Sequence, residues 1–413
     1  MNTIRYLVSG KGIFNSICDL IIRPQRAVYD PRTDLGPTIF RLDADDPQRY
    51  KRTDLTIENM RGLTLQCSWF RTLSNEKQPC IVYIHGNCGS RYDALEALFL
   101  LKEGYSLFCF DAAGSGLSDG EYISLGFYER QDLAAVVDYL EDQEEVDGIG
   151  LWGRSMGAVT SIMYASKDNS IKCIVCDSPF STLRSLVNDL VKQHGSKRFP
   201  SSLINKIVNR MRKRIAARAA FNIDDLDTLK YASECTVPAF IFHGREDDFV
   251  FPRNSIDVSN YFMGPCLHHL VDGGHNDERG EDVRNTIKGF FSLYLVLKRE
   301  NGRPVAHLMQ DATNRVPREY IPRVDSGDVS SSPERDGDDN DNNSGVGGSG
   351  DVSVDDGGNS STSDEVHGLE GSGDEEEPID EAPSRPLSAS LAPVRVTKPW
   401  FYDPNDLLLE RKD

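Results

Sequence analysis

The pentapeptide Gly153-Arg154-Ser155-Met156-Gly157 sets a serine between two glycines, after the apolar run from Ile149 to Trp152 and before a segment of helical character. A G-x-S-x-G pattern in that setting makes a sharp strand-to-helix turn with the hydroxyl at its apex. The glycines are steric: strand and helix nearly touch there, and the serine backbone is strained. A serine hydroxyl alone is a poor nucleophile, so acyl-transfer chemistry needs a base to take its proton and an acid to hold that base. His275, after Gly273-Gly274, is the candidate base. Asp247 is the favoured acid, because it lies three residues after Gly244 and early in an acidic turn, with Asp248 beside it as an alternative. Asp177 is a rival acid at the end of the run Ile171 to Cys176; its other reading is an Asx-type turn through Asp177-Ser178-Pro179. His85 is expected to shape a turn through hydrogen bonds. His243 similarly lies at a strand end, and His268 and His269 read as packing or surface residues.

These side chains need strands to carry them. Leu55 to Glu58 and Leu63 to Trp69 alternate around Asn59 to Gly62 and predict an antiparallel hairpin. Beyond it the apolar runs alternate with helical spacing: strand Cys80 to His85, helix Arg91 to Lys102, strand Ser106 to Phe110, helix Leu125 to Glu141, strand Ile149 to Trp152, helix Ser155 to Ala165, strand Ile171 to Cys176. That alternation predicts a mostly parallel sheet with helices on both faces, which binds ligands at the strands' C-terminal ends. Serine, acid and histidine occur in that chain order, each at a strand's end, as expected of an α/β-hydrolase fold. In such a fold the glycine turn after Ile84 supplies one oxyanion-hole amide, and Met156, next to the nucleophile, supplies the other. Asp111 to Gly116 is glycine-rich but follows the wrong strand for a dinucleotide site, and reads as a loop flanking the active site.

Between Cys176 and Thr236 the connection is far longer than a simple crossover needs. From Lys192 to Asn222 it carries nine Lys or Arg and no acid, while Ile204, Ile207, Val208, Met211 and Ile215 recur at helical spacing behind Ser201 or Ser202 as cap. Residues 181–232 are therefore expected to form a helical cap insertion, and its basic face, or the amphipathic N-terminal segment 1–24, to offer peripheral membrane contact. The last helix, Glu278 to Lys298, should pack on the sheet through Phe290, Phe291, Leu293, Tyr294 and Leu297, closing a domain over residues 25–298.

The chain's charge of −19 is concentrated beyond that helix. Between Asp325 and Arg385 stand 19 acidic residues against 2 basic ones, a net of −17, with scarce aliphatics and no Phe, Tyr or Trp. Such a segment cannot bury enough apolar surface to offset chain entropy, so residues 299–413 are expected to be a disordered tail. Its apolar island, residues 398–409, has the form of a docking motif for a protein partner, and the acidic stretch is expected to attract the basic insertion at low ionic strength. No apolar run reaches membrane-spanning length, and nine cysteines without a framework point to a reducing, cytoplasmic setting. Cys173 and Cys176 fall inside a strand and read as core. The pattern calls for no cofactor and no metal, and for an acylated or small-molecule substrate with no nucleic acid.

Tyr83 to Asn87, the turn Gly114 to Ser118, Leu151 to Thr160, Asp177 to Phe180 and the loops at Asp247 and His275 together resemble eukaryotic cytosolic serine hydrolases of the serine aminopeptidase-like α/β-hydrolase superfamily. Ile21-Ile22-Arg23-Pro24 with Arg26 and Tyr29 is similar to a plant and protist branch, and the resemblance spans roughly residues 18 to 296. It implies Ser155, Asp247 and His275 as triad and the amides of Asn87 and Met156 as oxyanion hole. Its relatives include protein depalmitoylases and lipid esterases, so an ester or thioester of an acyl lipid or acyl-protein is the implied substrate. The cysteine cluster of the depalmitoylating branch is missing from the N-terminus here. Peptide hydrolysis and a non-catalytic scaffold are the alternatives.

Overall fold

Asn59 turns the chain between the first two long strands. Its side-chain oxygen accepts the amides of Arg61 (2.9 Å) and Leu63 (3.0 Å), so Tyr50–Glu58 and Thr64–Thr72 pair antiparallel with Glu58 opposite Thr64. The computed structural model describes residues 18–19, 21–74, 76–194 and 201–297. Counting the short Ile39–Phe40 as β1, the two long strands are β2 and β3. They are followed by β4 (Gln78–Ile84), β5 (Ser106–Phe110), β6 (Val146–Arg154), β7 (Cys173–Asp177), β8 (Ala239–Gly244) and β9 (Cys266–Val271). The nine form one sheet in the order β1-β2-β3-β5-β4-β6-β7-β8-β9. Pairing is antiparallel from β1 to β5 and parallel from β5 to β9. β5, β7 and β8 are buried along their whole length, as parallel strands covered on both faces must be.

The helices are α1 (Pro31–Asp34), a 3₁₀ helix (Arg91–Glu103), α2 (Glu129–Glu141), α3 (Met156–Ala165), α4 (Leu183–His194), α5 (Ser201–Ala219), α6 (Thr228–Ala232), α7 (Arg253–Tyr261) and α8 (Glu281–Phe291), which ends in a π turn, Ser292–Leu297. α2 starts four residues later than its apolar spacing predicts. Leu125 and Gly126 have φ of 56° and 129°, and the Glu129 carboxylate takes the amides of Ser124 and Gly126 at 2.8 Å each, which stops the helix there.

Two apolar layers cover the sheet. Leu133, Val136, Val137 and Leu140 of α2 pack with Ala158 and Ile162 of α3 against one face, with Cys176 among them. Leu95, Leu98 and Leu101 of the 3₁₀ helix join Ile287, Phe290 and Phe291 of α8 against the other, with Cys173. The two cysteines of the C-x-x-C therefore point to opposite layers, as period-two strand geometry requires. The nine cysteines are thiols outside any disulfide, and eight are buried. A third cluster links α3 to the insertion: Met156, Val159 and Phe180 pack with Val208, Met211 and Ile215 of α5, and with Cys18, Ile21 and Ile22 from the start of the described chain. The Ile22 carbonyl accepts the Ile123 amide at 2.9 Å. Val208, Met211 and Ile215 are fully buried and Ile207 half-buried, so the apolar stripe of α5 is spent on packing. Lys206, Lys213 and Arg214 of the same helix are exposed, whereas Arg212 pairs with Asp224 (2.9 Å) and Arg218 with Asp19 (2.5 Å). Residues 1–17, the acidic stretch and the motif at 398–409 lie outside the described residues. Among those described, no helix is long and apolar enough to cross a membrane.

Candidate active site

The elbow is built by excluded volume. A Cβ on Gly157 would stand 2.0 Å from the Ile84 carbonyl oxygen, and one on Gly153 would stand 2.1 Å from the Gly157 carbonyl oxygen, so strand β6 and helix α3 approach as only glycine allows. Ser155 itself sits at φ 51°, ψ −109°, an unfavourable conformation for a residue with a side chain. Its amide is tied to the Asp177 carbonyl at 2.7 Å and its carbonyl to the Val159 amide at 3.1 Å, which holds the strain in place.

Three distant segments meet at the hydroxyl. His275 Nε2 lies 3.2 Å from Ser155 Oγ, and His275 Nδ1 lies 2.6 Å from Asp247 Oδ2. Because an ionised carboxylate only accepts, Nδ1 carries the proton and Nε2 turns its lone pair to the serine. Ser155, His275 and Asp247 are all buried, and Phe249 lies against the imidazole with ring centroids 5.1 Å apart. Asp247 is well supplied with donors: Oδ1 accepts the amides of Phe249 (3.0 Å) and Val250 (2.8 Å), and Oδ2 lies 3.0 Å from a second imidazole nitrogen, His243 Nε2, whose N–H it shares with the Val250 carbonyl at 2.6 Å. Burial opposes its charge, yet electrostatic attraction to His275 and the hydrogen bonds from His243 and His275 outweigh it and hold the carboxyl well below the usual range.

The other candidate acids lie elsewhere. Asp248 is exposed. Asp177 is fully buried on a different partner: its oxygens accept Arg279 Nε (2.9 Å) and Nη2 (2.8 Å), and Ser178 Oγ donates to Oδ1 at 2.8 Å. The bond from Ser178 runs side chain to side chain and is not the backbone-amide contact of an Asx-type turn, and the dominant partner is an arginine 102 residues away. His85 behaves as expected of a turn-shaping residue. Its Nε2 accepts the Ala112 amide at 3.0 Å, so Nδ1 holds the proton, 2.7 Å from the Gly86 carbonyl; burial lowers its pKa and keeps it neutral. The turn it shapes closes with the Gly89 amide on the Gly86 carbonyl (3.1 Å), and it carries Asn87, half-buried, and Cys88 at φ 63°. Met156 is the first residue of α3, where a backbone amide has no acceptor within its own helix. His268 meets Ser255 Oγ at 3.0 Å through Nε2, and burial together with neighbouring imidazoles lowers its pKa to about 4. His269 packs edge-on against Phe240.

The glycine-rich loop after β5 is anchored by the N-terminal residues of the resemblance. Tyr29 donates to Asp111 Oδ2 at 2.6 Å, and Arg26 reaches the Ser118 carbonyl at 2.7 Å. Arg91 binds Tyr29 (2.7 Å) and the Cys67 carbonyl (2.6 Å), fixing this loop to β3. Two features went unread in the sequence. The sequence marks His243 only as a residue at a strand end, although its spacing of four from Asp247 is a usable signal. Arg154 and Arg279, which hold the histidine loop, carry no local signal, because their partners are far away in the chain.

The fold is that of the α/β-hydrolases, a mostly parallel sheet flanked by helices. The sequence profile of the alpha/beta hydrolase fold family matches residues 79–203, which hold β4, the elbow and β7. The chain is 23% identical over 260 residues to YqkD, an uncharacterised protein of Bacillus subtilis (strain 168), covering 62% of this chain and 82% of that protein. It is 27% identical over 128 residues to lysophosphatidylserine lipase ABHD12 of Gallus gallus, 28% of this chain and 32% of the lipase, so it spans about a third of that relative. Among solved structures, the Pyrococcus furiosus esterase Pf2001 is similar at a TM-score of 0.51 and 24% identity, covering 67% of this chain and 98% of the esterase.

Proposed function

We propose that the protein is a serine hydrolase that cleaves an ester or thioester of an acyl lipid or acyl-protein through an acyl-enzyme. The single observation behind this reading is the unbroken chain Ser155 Oγ, His275 and Asp247, at 3.2 Å and 2.6 Å. His275 Nε2 takes the hydroxyl proton as Oγ attacks the carbonyl carbon, and Asp247 stabilises the imidazolium. The amides of Asn87 and Met156 receive the oxyanion. The alcohol or thiol leaves with the proton from His275, and water then hydrolyses the acyl-serine by the same steps in reverse roles. Met156 and Phe249, beside the serine and the imidazole, belong to an apolar cluster shared with the insertion, so the surroundings of the site are apolar and disfavour a charged acyl group. The name of the Gallus gallus relative, a lysophosphatidylserine lipase, supports a lipid ester as the class.

A fluorophosphonate probe tests the reading directly. The expected result is covalent labelling of the wild type and none of Ser155→Ala. An unlabelled wild type, or equal labelling of the variant, overturns it. Turnover of a series of p-nitrophenyl esters and acyl thioesters, set beside aminoacyl amides, then separates acyl-ester cleavage from peptide hydrolysis.

A further inference from the structure

Behind the catalytic histidine lies a group of buried charges that proton transfer does not use. The carbonyl of His275 points into the protein, where Arg154 Nη2 donates to it at 2.7 Å and Arg279 Nη2 at 3.4 Å. Arg154 Nη2 also donates to the Asp277 carbonyl at 3.2 Å, and Arg279 Nη1 to the Gly274 carbonyl at 3.0 Å. Three carbonyls of one loop are thus met by two guanidinium groups, whose charged N–H donors make the stronger kind of hydrogen bond. Both arginines then converge on one carboxylate. Asp177 is bound bidentately by Arg279 and lies 3.6 Å from Arg154 Nε, while Arg154 reaches Glu96 on its far side at 3.3 Å. The side chains of Arg154, Arg279 and Asp177 are 3%, 3% and 0% exposed, so solvent screens none of these attractions appreciably.

The chain positions of these residues give the group its direction. Arg154 directly precedes the nucleophile, Arg279 follows the histidine by four residues, and the main-chain carbonyl of Asp177 holds the Ser155 amide at 2.7 Å. Asp177 therefore grips the nucleophile through its backbone and the histidine loop through its carboxylate.

We infer that Arg154, Asp177 and Arg279 form a brace that sets the separation of Ser155 Oγ and His275 Nε2, acting as positioning residues through the loop backbone. The inference rests on the serine-hydrolase reading. Asp177, a rival for the triad acid by its place in the sequence, works one step removed from the imidazole. Without the brace the histidine loop keeps its glycine turn and its bond to Asp247 but loses the donors that fix its depth. A misplacement of about 1 Å at a reacting group costs up to about a hundredfold in rate.

The test is active-site titration of Arg279→Ala and Arg279→Lys with a chromogenic ester, which separates the number of competent sites from the acylation rate at each site. The expected result is one site per chain in both, with the rate per site about tenfold to a hundredfold lower in R279A and intermediate in R279K. Millimolar guanidinium is expected to restore part of the R279A rate and leave the wild type unchanged. A reduced site count with an unaltered rate per site would mean a purely structural role and overturns the brace, as does a wild-type rate in R279A. Should R279A not fold, R279K carries the same two readings. A wild type that shows no burst and takes no fluorophosphonate refutes the hydrolase reading instead, so the two failures are distinguishable.

Discussion

The elbow at Ser155 and the loop at His275 are both tight turns at the ends of parallel strands, yet different forces hold them. At the elbow the decisive atoms are missing ones: two glycines let β6, α3 and the end of β4 approach to distances at which a single methyl group would collide. At the histidine loop the decisive atoms are present and charged, and its carbonyls rest on guanidinium groups neutralised by Asp177 and Glu96. Exclusion is local and needs only neighbouring residues. Charge pairing across a sheet needs partners that come together only once the fold has formed.

The contrast can be broken at several points. Ser155→Ala is expected to lower ester turnover on the order of a millionfold with the fold intact, as read by steady-state kinetics and circular dichroism. Asp247→Asn should cost about ten-thousandfold in kcat, whereas Asp177→Asn costs no more than about a hundredfold; the reverse ranking would move the triad acid to Asp177. Gly157→Ala tests the steric side. Its new methyl meets backbone, which cannot swing away, so denaturant unfolding should show a loss of about 3 kcal/mol or more.

Two smaller effects concern protons. Asp247 has a folded pKa below its unfolded value, so its contribution to stability is complete above about pH 4 and is lost as pH falls through the folded value. Acid unfolding of D247N should therefore be shallower than that of the wild type. Asp93 has the opposite sign. Burial first, and then the charge of Glu96, push it up to about 7, so the folded chain keeps this proton longer than the unfolded one and stability declines between about pH 4 and about pH 7. D93N should remove that decline, and its melting temperature should gain on the wild type between about pH 4 and about pH 7. A constant difference across that range would place the charge of Asp93 elsewhere.

Much of the scaffold is legible in the sequence. β5 falls where its unbroken apolar run places it and β4 and β7 lie within two residues of theirs, whereas β6 extends to Val146–Arg154, beyond the run Ile149 to Trp152, because its first three residues are only partly buried and form no apolar run. α2 starts at Glu129 and not at Leu125, since the turn at Leu125 and Gly126 is set by the Glu129 carboxylate, which apolar spacing does not report. The bond of His243 to Asp247 was missed for a similar reason: a histidine at a strand end looks alike whether or not its ring reaches a carboxylate.

Residue types and their order were enough to require a serine at a glycine-flanked turn, an acid and a histidine at later strand ends, and a parallel sheet to carry them, because these follow from steric exclusion and apolar periodicity along the chain. Folding alone decided which of three carboxylates meets the imidazole and what stands behind it. Asp177 was claimed by Arg279, 102 residues away, and Asp247 was left to His275. Ion pairs form by distance in space, and no spacing in the sequence records that distance.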